Sequence, residues 1–447
     1  RKPFRSFRAP GSLSNFFGGE DASQVINVVT TSRKRISTLV SSSFVSPSGL
    51  PKKPTKALRP NSWAEVDGRV LRENLHLVRM HLGRAAGGKG HESSPPIGAV
   101  LKSNAYGHGA VLSGRVFASA RIDALFVSEP ETALELKKAP EVPEYLPIVL
   151  LYRSADPDII CLLAEANVTA SVLSFGWVRY ITSSHWPCSH RLRVHLMVDS
   201  GLTREGLAAK EVETSTKLLL EANEFMSLDG IYTHWCCPYD AEEMAKSKQI
   251  FDDAITTVQK MRMERLSELS EFTIHASSSS TIFLDAHYDL LRLGGLLYGD
   301  PVAVAHPAGG TFILPGPHRT LLWKSYLAEV YWAEPNRRYG RCPFDHDCDK
   351  FSLHPRKRLV GLIPVGGADY SHSNIFSELF REKLPLLEMS QETMLVEIPE
   401  DSKFFREAQP GMEVLLCEVS CTQGLFNVPG HIPRKLVHDP SIPETYF

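Results

Sequence analysis

Eight short β-rich runs, separated by helical or polar stretches, limit what this chain can fold into. The runs are Ala99–Lys102, Ala124–Val127, Pro147–Tyr152, Thr169–Leu173, Arg193–Asp199, Leu228–His234, Phe272–Ser277 and Leu290–Gly299. Helical spacing of apolar residues is clearest between them in Pro130–Ala139 and Ala241–Ser270, and before them in Arg69–Leu82. Eight β–α alternations over about 200 residues predict a (β/α)8 TIM barrel. An open doubly wound sheet has a similar rhythm, but the chain lacks a glycine-rich first turn of the dinucleotide-binding type.

The segments on either side of the barrel differ from it and from each other. Residues 1–57 are rich in Arg, Lys, Ser and Pro, with Glu20 and Asp21 as the sole acidic residues. This composition is typical of a disordered basic tail or of an organelle transit peptide, and both readings stay open. The barrel is expected over 58–305. The helical rhythm then fades, and short β-rich runs over 310–447 predict a smaller β-rich C-terminal domain in an α/β protein.

Composition excludes several classes of function. The formal net charge is −2, so nothing indicates a nucleic-acid partner. No apolar run approaches the ~18 residues of a spanning helix, so no membrane segment is expected. Eight cysteines without a secreted-scaffold spacing favour reduced thiols and an intracellular site, in the cytoplasm or an organelle. The Cys and His residues of 342–354 are too loosely spaced for a zinc site, so no metal is expected.

Polar residues stand at the ends of five predicted strands. They are Lys102, Asp199, His234, Ser277 to Ser279 and Arg292. Catalytic residues of a (β/α)8 barrel collect at the carboxyl ends of the strands, so we expect these residues to share one mouth. Lys102 ends an apolar run, and the lysine is either a side chain that reaches solvent or an amine able to attack a carbonyl.

The string Ala99–Gly109, Ala-Val-Leu-Lys-Ser-Asn-Ala-Tyr-Gly-His-Gly, resembles the pyridoxal-phosphate lysine motif of the alanine racemases, with Ser103 in place of the usual alanine. The segments Asp199–Gly206, Gly230–His234, His275–Ser279 and Asp289–Gly299 also resemble motifs of that family. The resemblance runs from about Asn61 to the C-terminus. It implies the same barrel and β-domain, with pyridoxal 5′-phosphate (PLP) as the cofactor.

The resemblance implies a role for each matched residue. Lys102 would hold the cofactor covalently and serve as one of two bases. Arg292 would hydrogen-bond the pyridine nitrogen, with His234 close by as a supporting contact. The phosphate would be bound by a hydroxyl and amide group made of Tyr106, Ser279, Gly294 and Gly295. A guanidinium stays protonated, so it donates a hydrogen bond without protonating the ring, which suits racemisation better than transamination.

Racemisation needs a base on each face of the reacting carbon. In the family the second base is a tyrosine of the partner subunit, and Tyr339 in Arg338-Tyr339-Gly340 matches it here. The resemblance therefore also implies a head-to-tail homodimer acting on a small amino acid.

The chain departs from the family pattern at several positions. Met197 replaces a lysine that steadies the arginine of the Asp199–Gly206 loop, so Arg204 must be held in another way. Ser278 replaces an asparagine. Gly366–Tyr370 replaces a Gly-Tyr-Ala-Asp-Gly segment at the substrate entrance. Cys421 and Ser390 stand about where a phosphate-binding tyrosine and a substrate-contacting methionine are expected.

The leading prediction is an alanine racemase that interconverts L- and D-alanine, with Lys102, Tyr339, Arg292, His234 and Arg204 in the reaction. Racemisation of serine or of a broader set of amino acids stays open. A third reading is a PLP-binding homologue with reduced or lost turnover. Decarboxylases of this architecture pair the pyridine nitrogen with a carboxylate, so Arg292 argues against that activity.

Overall fold

Eight short parallel strands make up the barrel, and one earlier strand precedes them. In chain order they are β1 (Ser62–Asp67), β2 (Ile97–Val100), β3 (Ala124–Val127), β4 (Ile148–Leu150), β5 (Thr169–Val172), β6 (Leu192–Met197), β7 (Met226–Tyr232), β8 (Thr273–His275) and β9 (Leu291–Leu293). Hydrogen bonds join the barrel strands in the order β8-β7-β6-β5-β4-β3-β2-β9. A bridge between Ser278 and Arg292 links the two ends of this sheet. The barrel predicted from the β–α alternation is confirmed.

The computed structural model describes residues 60–85, 94–152, 156–183, 186, 188–266, 270–282, 288–300, 302–303, 311–312, 320–337, 355–369, 384–419 and 431–443. The chain divides into two units, Arg1–Arg59 and Pro60–Phe447, and all described residues belong to the second. The predicted tail 1–57 lies outside the described residues.

Among the described residues, seven right-handed α-helices pack around or between the barrel strands. They are α1 (Gly68–Ala85), α2 (Ala110–Ser119), α3 (Pro130–Lys138), α4 (Pro157–Glu165), α5 (Phe175–Ser183), α6 (Ala209–Glu221) and α7 (Ala241–Arg265). Five apolar residues of α1 recur at helical spacing and so form one face of the helix. All five of them are buried: Val70, Leu71, Leu75, Val78 and Leu82. The helix α7 begins at the N-cap Asp240, whose carboxylate accepts two backbone N–H groups. It ends five residues before the predicted Ser270, because Leu266 adopts an extended backbone.

The C-terminal part is built from short strands, as expected for a β-rich segment. They are β10 (Val302–Ala303), β11 (Thr311–Phe312), β12 (Leu321–Tyr326), β13 (Glu329–Ala333), β14 (Arg358–Ile363), β15 (Leu386–Met389), β16 (Met394–Glu397), β17 (Glu413–Val419) and β18 (Arg434–Val437). Two four-stranded sheets result, with the orders β17-β12-β1-β18 and β13-β14-β16-β15. Together with the barrel they confirm the predicted fold class.

The first strand belongs to the C-terminal sheet and not to the barrel. β1 pairs antiparallel with β12 and parallel with β18. The predicted segment 58–305 assigns this strand to the barrel, whereas its hydrogen bonds join it to strands more than 250 residues away. Trp63 and Trp323 are buried in this sheet. The boundaries 58–305 and 310–447 otherwise remain predictions.

Cysteine chemistry differs from the expectation of reduced thiols. Cys161 of α4 and Cys188 are joined by a disulfide, while Cys236 and Cys237 are free. Spacing along the chain did not reveal the pair, because α4 and the segment before β6 become neighbours only in the folded barrel. Among the described residues, no helix is both long and apolar enough to cross a bilayer.

Candidate active site

A cavity of about 390 Å³ lies where the barrel strands end. Eight of the nine residues predicted for the site line it: Lys102, Tyr106, Arg204, His234, Ser279, Arg292, Gly294 and Gly295. The ninth, Tyr339, lies outside the described residues, as do Tyr370, Cys421 and the Cys and His residues of 342–354. The volume falls in the range of cavities that take small ligands and cofactors.

Lys102 is presented by an unusual backbone turn. The four residues from Ser103 to Tyr106 all have φ between 52° and 54°, so the chain makes a left-handed turn directly after β2. This conformation is unfavourable for residues other than Gly and Asn and persists only where the surroundings hold it. Lys102 is exposed in the single chain, and its Nζ lies 5.9 Å from the centre of the Tyr106 ring.

Residues of the C-terminal sheet and of the segment before it hydrogen-bond to the end of this turn. Arg434 of β18 is buried, and its Nε donates to the Gly107 carbonyl at 2.9 Å. His108 is fully buried, with Nε2 2.6 Å from the Thr320 hydroxyl and Nδ1 3.1 Å from the Ala105 carbonyl. Burial lowers the pKa of His108 to about 4. The position of Lys102 therefore depends on both parts of the fold.

A group of hydroxyls and amides lines the same cavity as the lysine. The Gly294 amide donates to Ser279 Oγ at 3.0 Å, and a Cβ at Gly294 would overlap the Tyr106 hydroxyl. Glycine is therefore required for Tyr106 to come this close. Ser278 and Ser280 add two more hydroxyls, 3.1 Å apart. Uncharged donors in such an arrangement suit an anion such as a phosphate.

Arg292 of β9 is the buried cation of the cavity. Its Nη2 donates to the Thr233 and Ala276 carbonyls at 2.6 and 2.9 Å. Its Nη1 donates to His275 Nδ1 at 2.8 Å. These contacts use three of the five guanidinium N–H donors. Two N–H donors have no acceptor among the described residues. Burial lowers the pKa of Arg292 to about 10, so it is still protonated near neutral pH.

A pair of buried histidines extends from Arg292 into the barrel. Because His275 Nδ1 accepts from Arg292, its proton lies on Nε2, which donates to His195 Nδ1 at 2.9 Å. Burial, followed by the Arg292 charge, holds the pKa of His275 well below its usual range. Burial, followed by the charges of Arg193 and Arg292, lowers the pKa of His195 to about 3. Both rings are neutral. The hydrogen bonds therefore run in one direction, from Arg292 to His275 and from His275 to His195.

His234 and Tyr232 complete the wall beside Arg292. Burial, then the positive charges of Arg292, Arg204 and Lys102, lowers the pKa of His234 to about 4. The Tyr232 ring stacks on His275 with centroids 4.8 Å apart and an interplanar angle of 7°. Burial raises the pKa of Tyr232 to about 12. These two side chains are neutral at neutral pH.

The loop that carries Arg204 is ordered by Asp199. Its Oδ1 accepts from the Gly201 and Thr203 amides at 3.0 and 2.9 Å, so this carboxylate stabilises the loop and does not line the cavity. Arg204 is 62% exposed, with Nε 3.8 Å from Glu205. Met197 packs with Leu173 and Tyr232 in a small apolar cluster instead.

Sequence reasoning missed some residues and misplaced others. The role of His195 was not predicted, although an inward-facing histidine in the apolar strand Leu192–Met197 is a visible signal. Glu205 and Tyr152 line the cavity without having been predicted. Ser277 is buried and does not line it. Ser390 lies in the turn between β15 and β16, where its Oγ accepts from the Thr393 amide at 3.0 Å.

Known proteins provide an independent comparison. The family model described as "Alanine racemase, N-terminal domain" matches residues 66–301, which is more than half of the chain. An alanine racemase of Streptococcus agalactiae is 28% identical over 324 residues, which cover 71% of this chain and 76% of that protein. Two solved structures have the same fold at 20% identity. They are an alanine racemase from Bacillus anthracis with bound L-Ala-P (TM-score 0.66, 87% of this chain and 98% of that one) and one from Clostridium difficile 630 (TM-score 0.65, 87% and 99%).

Proposed function

The chain belongs to the alanine racemase family, and on that premise we propose that it is a PLP-dependent racemase that interconverts L- and D-alanine. One observation carries the proposal. A single cavity brings together the amine of Lys102, the buried guanidinium of Arg292 and the Tyr106–Ser279–Gly294 group. An amine, a ring-nitrogen donor and an anion site are the three contacts that a phosphorylated pyridine aldehyde needs.

The cavity residues fit this cofactor. Tyr106, Ser279 and the amides of Gly294 and Gly295 would hold the phosphate, since glycine lets the backbone approach an anion closely. Arg292 has donors left over for the pyridine nitrogen. When bound, PLP supplies an aldehyde that can join an amine covalently and a ring that withdraws electrons from the substrate α-carbon.

Arg292 favours racemisation over other reactions of this cofactor. With a pKa of about 10 it remains a cation near neutral pH and donates a hydrogen bond without giving up its proton. The neutral His275 and His195 behind it supply no proton either. The withdrawal of electrons by the ring is therefore limited, which lowers the chance of transamination.

Two bases on opposite faces would move the α-proton. We assign one face to Lys102, because this lysine lines the cavity, with its amine 5.9 Å from the centre of the Tyr106 ring. We assign the other face to Tyr339 of the partner subunit in a head-to-tail homodimer. Arg204, which lines the same cavity and is 62% exposed, would bind the substrate carboxylate.

The setting of Arg204 favours a broader substrate range as a second candidate. Met197 is apolar, and Glu205 lies at 3.8 Å, so Arg204 is held less tightly than by a buried partner. A more adaptable carboxylate contact would admit side chains larger than that of alanine, such as serine.

Chiral analysis of amino acids tests the proposal. The protein with added PLP is incubated separately with L-alanine, L-serine and a panel of other L-amino acids. We expect L-alanine to approach an equal mixture of enantiomers faster than any other. Comparable rates for several amino acids would support the second candidate. No D-enantiomer from any of them would contradict both.

A further inference from the structure

Two free cysteines lie side by side in the loop that follows β7. The Sγ atoms of Cys236 and Cys237 are 3.3 Å apart, and both side chains are half-buried, so small reagents can reach them. Both thiols are free. Neither belongs to the proposed catalytic machinery.

The position of the pair connects it to the cavity. Cys236 follows His234 by two residues, with the buried Trp235 between them. On the other side, the Cys237 carbonyl accepts from the amide of Asp240, the N-cap of α7. The loop is thus fixed at both ends, so a change at the cysteines must move the backbone next to His234.

The pair also borders the loop that carries Arg204. A Cβ placed on Gly201 would lie 3.9 Å from the Cys236 Cβ, which is ordinary packing distance. Gly201 has φ +129°, a conformation that other residues rarely adopt. Cys236 therefore lies next to a turn whose backbone conformation is restricted.

We propose that Cys236 and Cys237 form a dithiol site beside the cavity, which a low-molecular-weight disulfide oxidises to a vicinal disulfide. One thiolate attacks the reagent disulfide and releases one thiol, which leaves a mixed disulfide on the protein. The neighbouring thiolate displaces the second thiol and closes the protein disulfide. Two protein thiols are oxidised, and one reagent disulfide is reduced to two thiols that carry the two protons.

Closure changes the loop, because the sulfur atoms must move from 3.3 Å to a bonded distance of about 2.05 Å. The effect on turnover rests on the proposed function, whereas formation of the bond does not. A hydrogen bond with Cys237 is the largest of the effects that raise the pKa of Cys236, so less of the Cys236 thiolate forms near neutral pH. Slow closure is expected there.

Peptide mapping tests the site without reference to activity. The native protein is treated with oxidised glutathione, its remaining thiols are alkylated, and it is digested with trypsin. Cleavage after Lys217 and Lys246 releases Leu218–Lys246, whose cysteines are Cys236 and Cys237 alone. We expect this peptide to lose two hydrogen atoms and to escape alkylation. In Cys236→Ser and Cys237→Ser it should instead retain one glutathione.

Three outcomes would overturn the site: two alkylated thiols, a stable mixed disulfide in the native protein, or a bond to another cysteine. Activity then tests the coupling to the cavity. Oxidised protein should racemise about tenfold more slowly, and dithiothreitol should restore the rate. The racemisation rate of the double variant Cys236→Ser/Cys237→Ser should not change when the oxidant is added. Oxidation without a change in rate would refute the coupling. Oxidation of a protein that never racemises would refute the proposed function and leave the dithiol site intact.

Discussion

In the barrel, the proposed site residues lie on parallel strands or in the segments that follow them, whereas the one proposed residue of the C-terminal part, Tyr339, lies in the sequence between β13 and β14. Strand register brings the strands that carry these residues side by side. Gly98 of β2 pairs directly with Arg292 of β9, for example. The C-terminal sheet acts on the site indirectly, since Arg434 and Thr320 hold the turn that presents Lys102. We therefore expect substitutions in the C-terminal loops to disturb the site less than substitutions at the strand ends.

The largest effect is expected when the proposed second base, the one contribution of the C-terminal part to the reaction, is removed. Tyr339→Phe should lower racemisation of L-alanine by roughly 10²-fold or more, because a positioned base contributes about that much. Exchange of the α-hydrogen with deuterium should continue through Lys102 for the alanine enantiomer whose α-hydrogen faces that amine, and should stop for the other enantiomer. Proton NMR in deuterium oxide measures the exchange, and chiral chromatography measures D-alanine. The matched control is Tyr145→Phe, since Tyr145 is 84% exposed.

If Tyr339→Phe racemised as fast as the control, the second base would have to come from another residue. The C-terminal part would then contribute only support to the barrel.

A substitution at the proposed phosphate site of the barrel should lower the affinity for PLP and should change the racemisation rate less than Tyr339→Phe does. In Gly294→Ala the added methyl group displaces the Tyr106 hydroxyl, so the affinity for PLP should fall about tenfold to hundredfold. Equilibrium titration of the protein with PLP, followed by absorbance, measures this. Gly176→Ala is the control, because a Cβ at Gly176 has no neighbour within 4 Å among the described residues. Equal affinities in the two variants would exclude the proposed phosphate site.

The contact of His108 in the barrel with Thr320 beside the C-terminal sheet should be sensitive to acid. The folded pKa of His108 is about 4, below the ordinary value of 6.5, so the unfolded chain binds the proton first as the pH falls. The free energy of unfolding should therefore be unaffected above pH 6.5 and should decrease between pH 6.5 and 4. His108 alone would contribute on the order of 3 kcal/mol to this loss.

Thermal unfolding across this pH range measures the effect. The slope should be shallower in His108→Gln than in the control His76→Gln, whose histidine is exposed on α1. The slope that remains would come from the other histidines whose pKa values are lowered in the same direction, which are His81, His195, His234 and His275. Identical slopes in both variants would show that His108 does not couple the sheet to the barrel.

Much of the barrel and of its site could be predicted, because apolar runs and the polar residues at their ends are local signals. Other features depend on partners far along the chain. The membership of β1 in the C-terminal sheet requires pairing of Ala64 with Trp323 and with Arg434. The link from His275 to His195 requires the strand order of the closed barrel. The left-handed turn includes Ser103 and Tyr106, residue types that do not favour positive φ, so propensity could not reveal it.

The central claim is that Lys102 holds the cofactor in this cavity. Borohydride reduction of the protein with bound PLP makes the bond between the cofactor and its lysine permanent, and peptide mapping then locates it. We expect the label on the peptide that contains Lys102 and none in Lys102→Ala, whose absorbance band from bound cofactor should also be lost. A label on another lysine of the native protein, or an unchanged band in Lys102→Ala, would contradict the account.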